Sequence, residues 1–118
     1  MFRPQTLEPE SAAGQIASGM ASCEISPEAI ADLQNLYDFI SDDSQSAAER
    51  MLDELFDSFD QLAALPRSGH SRKDLTSRDV LFWPVQPYLV VYRDKGTMIQ
   101  IVAVLHGARD IPSLLENR

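Results

Sequence analysis

Two short apolar runs joined by a glycine-containing loop constrain this chain more than any other feature. Tyr88-Leu-Val-Val-Tyr-Arg93 and Met98-Ile-Gln-Ile-Val-Ala-Val-Leu105 are rich in β-branched and aromatic residues and too short for ordinary helices, and Asp94-Lys-Gly-Thr97 links them. That pattern predicts an antiparallel β-hairpin. Strict alternation in the second run places Ile99, Ile101, Ala103 and Leu105 on one face and Met98, Gln100, Val102 and Val104 on the other. Both faces are then apolar, which predicts a central strand covered on both sides. The run ends in His106-Gly-Ala-Arg-Asp110, which sets polar groups at the tip of a rigid support, a common place for a site. A simple turn at Gly107 with a surface pair of Arg109 and Asp110 accounts for the same residues.

The helical elements come earlier in the chain. Ser26-Pro27-Glu28 is a helix start: a hydroxyl for an orphan N–H, a proline where no N–H is needed, and an acid at the positive end of the dipole. Ile30, Leu33, Tyr37 and Ile40, with Leu36 beside them, trace an apolar stripe that runs to Asp42-Asp43. Ser46-Ala-Ala-Glu49 fits a capping box and predicts that a second helix begins there. Its stripe is Ala48, Met51, Leu52, Leu55, Phe56, Phe59, Leu62 and Ala63, and Pro66 ends it after Leu65. So short a link requires the two helices to lie antiparallel. Before them, Ser22 to Ile25 predicts a very short strand, and residues 1–21 read as a poorly ordered arm, with Met20 a second plausible start. After them, a turn-rich basic connection with Arg67, His70, Arg72, Lys73 and Arg78 leads to a strand at Val80–Trp83 that Pro84 and Pro87 break. Ile111 to Glu116 allows one or two helical turns. The expected fold class is α+β: an antiparallel helix hairpin packed on a small, mainly antiparallel sheet, with a short C-terminal helix. Residues 22–118 form the one expected domain.

Charge divides the chain. The net charge is −8, distributed as −2 over residues 1–26, −9 over 27–65 and +3 over 66–118. Bulk binding to nucleic acid is disfavoured by long-range repulsion, so any such contact would be local and come from the second half. The single cysteine, Cys23, excludes an intramolecular disulfide and a cysteine metal site within one chain, and fits the cytoplasm. No apolar stretch is long enough to span a bilayer, and no secretory signal is expected. Phosphate loops, paired cysteines and His–Glu–His spacings are absent from the sequence, so no cofactor or metal is expected. What remains is a set of bases on and beside the sheet: Arg78, Arg93, His106 and Arg109. Guanidinium forks suit a phosphate backbone and an acidic protein equally. For RNA cleavage, Arg93, His106 and Arg109 form the only local set that could supply acid, base and charge neutralisation.

Several segments together resemble the ParE branch of the RelE/ParE toxin superfamily: Ser26-Pro-Glu-Ala-Ile-Ala-Asp-Leu33, Leu62-Ala-Ala-Leu-Pro-Arg-Ser-Gly69, Arg72-Lys-Asp-Leu75, the Tyr88–Arg93 run and Val102-Ala-Val-Leu-His-Gly-Ala-Arg-Asp110. The resemblance covers Ser22 to about Leu115. It implies a bacterial toxin of a type II toxin–antitoxin system, with a ParD-like antitoxin whose flexible C-terminal segment wraps the toxin in a hetero-oligomer. It also implies poisoning of DNA gyrase by binding, without catalysis. Partner-binding candidates are then Arg67, Arg72, Arg78, Trp83, Tyr92, Arg93, His106 and Arg109. The sequence departs from the family pattern at His70, where arginine is common, and before Ala21. The alternatives are a RelE-like ribosome-dependent mRNA endonuclease using Arg93, His106 and Arg109, or a decayed toxin that retains only antitoxin binding. With Lys73 and Lys95 as the only lysines, the lysine-rich face of RelE-type nucleases is missing.

Overall fold

The computed structural model describes residues 23–116 and 118. The arm expected over residues 1–21 lies outside the described residues. Strand β1 (Cys23–Ile25) leads to helix α1 (Pro27–Ser41) and helix α2 (Gln45–Ala64). A 3-10 turn (Pro66–Ser68), strands β2 (Leu81–Val85), β3 (Tyr88–Asp94) and β4 (Ile99–His106), and the short helix α3 (Ile111–Glu116) follow. The four strands form one sheet in the order β1-β4-β3-β2, with β1 parallel to β4 and the other pairs antiparallel. This is the expected α+β arrangement. The helix hairpin covers one face of the sheet and α3 the other.

Ser26 joins the layers. Its backbone N–H donates to the Ile101 carbonyl at 3.0 Å, its hydroxyl oxygen accepts the Ala29 N–H at 3.1 Å, and the hydroxyl donates to the Val102 carbonyl at 3.3 Å. One serine therefore ends the parallel pairing, caps α1 and fixes the rotation of α1 on the sheet. That rotation corrects one expectation: Ala29, Leu33 and Leu36 are buried, whereas Ile30 is 46% exposed. In α2 the cap is Ser44, not Ser46. Ser44 has extended backbone and accepts the Ala47 N–H at 3.1 Å, while Ser46 already lies in the first turn. Leu52, Leu55, Phe59 and Leu62 carry the buried stripe, and Phe56 lies at its rim, edge-on to Phe59 at 5.6 Å.

The alternation expected along β4 breaks at Val102. Val91 pairs with Ala103, but the next residue, Tyr92, pairs with Ile101, so Val102 is the extra residue of a β-bulge. Ile99, Ile101 and Val104 face the helix hairpin, whereas Val102, Ala103 and Leu105 pack with Phe82, Val91, Ile111 and Leu115 on the other side. The strand is central and covered on both faces as expected, but Ile99, Ile101, Ala103 and Leu105 do not share one face. A second correction concerns β2, which runs through Pro84 to Val85. β2 is an edge strand. Phe82 exchanges both backbone hydrogen bonds with His70, at 2.7 and 2.9 Å, on the side away from β3. Pro84, two residues on, turns its missing N–H the same way, so no hydrogen bond to β3 is lost.

Besides the His70–Phe82 bridge, the basic connection is tied to the sheet by the Tyr92 side chain. Tyr92 is fully buried, and its hydroxyl accepts the Gly69 N–H and donates to the Pro66 carbonyl, both at 2.8 Å. A Cβ on residue 69 would lie 2.5 Å from that oxygen. Tyr92→Phe is expected to cost about 2 kcal/mol in urea unfolding, since two polar groups lose their partner. Gly69→Ala should cost at least as much, because either the ring or the turn has to move. A Tyr92→Phe variant as stable as the wild type would show that water replaces the hydroxyl.

Cys23 on β1 is half-buried, and its thiol is pushed up to about 12 by burial first, then by Asp60 and Glu24. Alkylation near pH 8 should therefore be slower than in the denatured chain by on the order of a hundredfold. Because the folded thiol holds its proton more tightly, its contribution to stability is complete below the unfolded value near 9 and is lost as pH rises towards about 12. Equal alkylation rates in the folded and denatured chains would refute this.

Candidate functional site

Two grooves flank the tip of the β3–β4 ladder, one on each face of the sheet. On the helix side a groove of about 590 Å³ is lined by Phe39 and Ile40 at the end of α1, by Ala47, Arg50, Met51, Asp53, Glu54 and Asp57 on α2, and by Pro87, Tyr88 and His106. On the opposite face a groove of about 400 Å³ is lined by His70, Arg72, Leu75, Phe82, Pro84, Gln86, Leu89, Gly107, Arg109, Ile111 and Pro112. The first carries three carboxylates and one guanidinium besides His106. The second carries two guanidiniums and His70 and no carboxylate. The acidic and basic halves of the sequence thus become two surfaces of opposite sign.

The bulge sets which groove each residue of the tip enters. After Val102, position 106 falls on the helix side, where the His106 ring meets Tyr88 edge-on at 5.4 Å. His106 Nδ1 accepts the Ala108 N–H at 3.1 Å, so the proton of the neutral ring sits on Nε2. The turn continues with Arg109 N–H donating to the His106 carbonyl at 3.0 Å and Gly107 N–H donating to the Pro87 carbonyl at 2.9 Å. It carries Arg109 round to the basic groove.

The other candidates are dispersed. Arg93 pairs with Gln100 near the far end of the ladder from the Tyr88–His106 pair. At about 3.4 Å per residue the separation along β3 is roughly 17 Å. The structure therefore does not bring Arg93, His106 and Arg109 together: the first is remote and the other two enter different grooves. Arg93 Nε is buried with no hydrogen-bond partner among the described residues. Arg67 is largely exposed and lies 3.7 Å from Asp94. Arg72 forms a forked pair with Asp74, at 3.0 and 2.8 Å, that holds the Asp74 carboxyl below its ordinary range. Arg78 donates to the Glu116 carbonyl at 3.0 Å and so ties down the end of α3. Trp83 packs against the helix-side core. Tyr92, buried and bonded to Gly69 and Pro66, presents no surface to a partner; its role is inside the fold.

Sequence reasoning missed two features. Phe39 is 74% exposed at the end of α1 and lines the acidic groove. Its signal was available, as a large aromatic off the apolar stripe of an amphipathic helix. The second is Asp32 with Arg118, a forked pair across 86 residues of sequence that no local pattern reveals. Among the described residues no cluster of His, Cys, Asp and Glu could hold a metal ion, and no helix is long and apolar enough to cross a membrane.

The family described as the ParE toxin of type II toxin–antitoxin systems (parDE) matches residues 23–111. Among solved structures, a chain described as "Chromosomal ParDE TA system from P. aeruginosa" is similar with a TM-score of 0.62 and 23% identity, over 75% of this chain and 98% of that one. That likeness shows a shared fold. No curated protein gave a significant match.

Proposed function

Because this chain belongs to the ParE family of toxins of type II toxin–antitoxin systems, we propose that it acts by binding DNA gyrase, without catalysis of its own, and that a ParD-like antitoxin holds it inactive. The family match across residues 23–111 carries this reading. The dispersal of Arg93, His106 and Arg109 supports it, because no single phosphate can be reached by all three, and acid–base cleavage of RNA needs such convergence. The mechanism is occupancy in the bacterial cytoplasm, with no sequence-specific contact to nucleic acid. The basic groove around Arg109 faces the target, where an anionic surface meets guanidinium forks. The antitoxin covers the apolar groove on the helix side.

A supercoiling assay with purified toxin and gyrase tests the target. Inhibition that added antitoxin relieves is the expected result; no inhibition at a stoichiometric excess overturns it. Induction in cells separates the rivals. Loss of DNA synthesis fits a gyrase poison, early translation arrest abolished by His106→Ala fits a nuclease, and absence of toxicity fits a decayed toxin.

A further inference from the structure

We propose that the helix-side groove seats a cationic, amphipathic segment of the antitoxin, whose lysines or arginines face Asp53, Glu54 and Asp57 while an apolar side chain enters between Phe39, Met51 and Tyr88. The proposal rests on the reading that an antitoxin covers this groove, and adds the sign of the segment's charge and the residues it meets.

Two independent observations meet in this groove. One is unpartnered apolar surface: Phe39 is 74% exposed and stands beside the half-buried Met51, and an aromatic ring held open to water at a helix end leaves dispersion and burial unused. The other is charge. Asp53, Glu54 and Asp57 line the same groove, and none of them takes part in an ion pair among the described residues. Arg50 is the single base on the hairpin. Three carboxylates next to an apolar floor repel an acidic ligand and reward a basic one, both in rate of encounter and in affinity.

The charge also decides between occupants. Residues 1–22 of this chain hold Arg3 against Glu8 and Glu10, a net negative segment that the groove repels. A second copy could offer only its basic groove on the far face of the sheet, and its overall charge of −8 opposes the approach at long range. A cationic segment of a separate partner is the occupant that the field favours.

The test uses the full chain and the antitoxin encoded beside it. Affinity is measured at rising salt for the wild type, for Asp53→Asn/Glu54→Gln/Asp57→Asn, for Phe39→Ala, and for Asp42→Asn/Asp43→Asn as a control on the same acidic hairpin outside the groove. The triple substitution should weaken binding about tenfold or more and flatten the salt dependence. Phe39→Ala should weaken it by a similar factor with the salt dependence kept, and the control should bind as the wild type does. All the substituted side chains lie at the surface or rim, so unchanged melting curves accompany these effects. A triple variant that binds as tightly as the wild type, with the same salt dependence, overturns this inference alone. Absence of binding by the wild type overturns it together with the antitoxin reading. Sedimentation showing that the free toxin is a dimer, and that the triple substitution makes it a monomer, assigns the groove to a second copy and overturns it as well.

Discussion

Asp32→Ala should lower the unfolding free energy by about 3 kcal/mol, among the largest losses expected from removing one charged side chain. Asp32 and Arg118 are 13% and 15% exposed, and their fork closes at 2.8 and 3.0 Å. The carboxylate also accepts the Val104 N–H at 3.0 Å, and the guanidinium donates to the Val102 carbonyl at 3.1 Å. The two backbone contacts fall on the β-bulge and the outer side of β4, beyond the reach of the three-residue β1. Ordinary strand pairing is impossible there, and side chains from α1 and Arg118 supply the missing partners. The hydrogen bond to Asp32 holds the Arg118 guanidinium above its ordinary range. Removing the carboxylate leaves the Val104 N–H without an acceptor and the half-buried guanidinium with the Val102 carbonyl but no counter-charge, which costs more than the net worth of the pair. Asp32→Asn, which keeps an acceptor for Val104, should cost less. Urea unfolding of both variants measures this, and a loss of less than about 0.5 kcal/mol for Asp32→Ala would show that the bulge holds itself.

Arg109→Glu should raise the toxin concentration needed for half-inhibition of supercoiling by about tenfold to a hundredfold, while antitoxin affinity stays within about twofold of the wild type. Arg109 is exposed and lines the groove opposite the helix hairpin. If the basic groove meets the target as proposed, reversal of its charge turns an attraction into a repulsion there without touching the helix side. Arg72→Glu should act in the same direction but more weakly, since the Arg72 fork is already occupied by Asp74. Equal losses of gyrase inhibition and antitoxin binding in Arg109→Glu would show that both partners use one surface, and would overturn the division into target and antitoxin faces.

What could be read in this chain was what local chemistry decides. Ser26-Pro27-Glu28 signalled the start of α1, Pro66 the end of α2, and Asp94-Lys-Gly-Thr97 the hairpin turn, where Gly96 indeed takes a φ of 93°. Hydrophobic period separated helices from strands, and the resulting order of elements is that of the structure. The choice of Ser44 over Ser46 was not legible locally, because both serines can cap; in the fold it is Ser44 that accepts the Ala47 N–H.

The sequence by itself determined the fold class, the antiparallel hairpin of helices, the apolar β3–β4 ladder and the division of charge into an acidic and a basic half, because each follows from neighbouring residues. The tertiary structure alone decided how these become a surface. A bulge at Val102 costs one residue of register and moves everything after it to the other face, so His106 enters the acidic groove and Arg109 the basic one. Nothing in an unbroken apolar strand announces such a bulge; it is stabilised by Ser26, Asp32 and Arg118, which the fold brings to the edge of β4 from 76, 72 and 16 residues away.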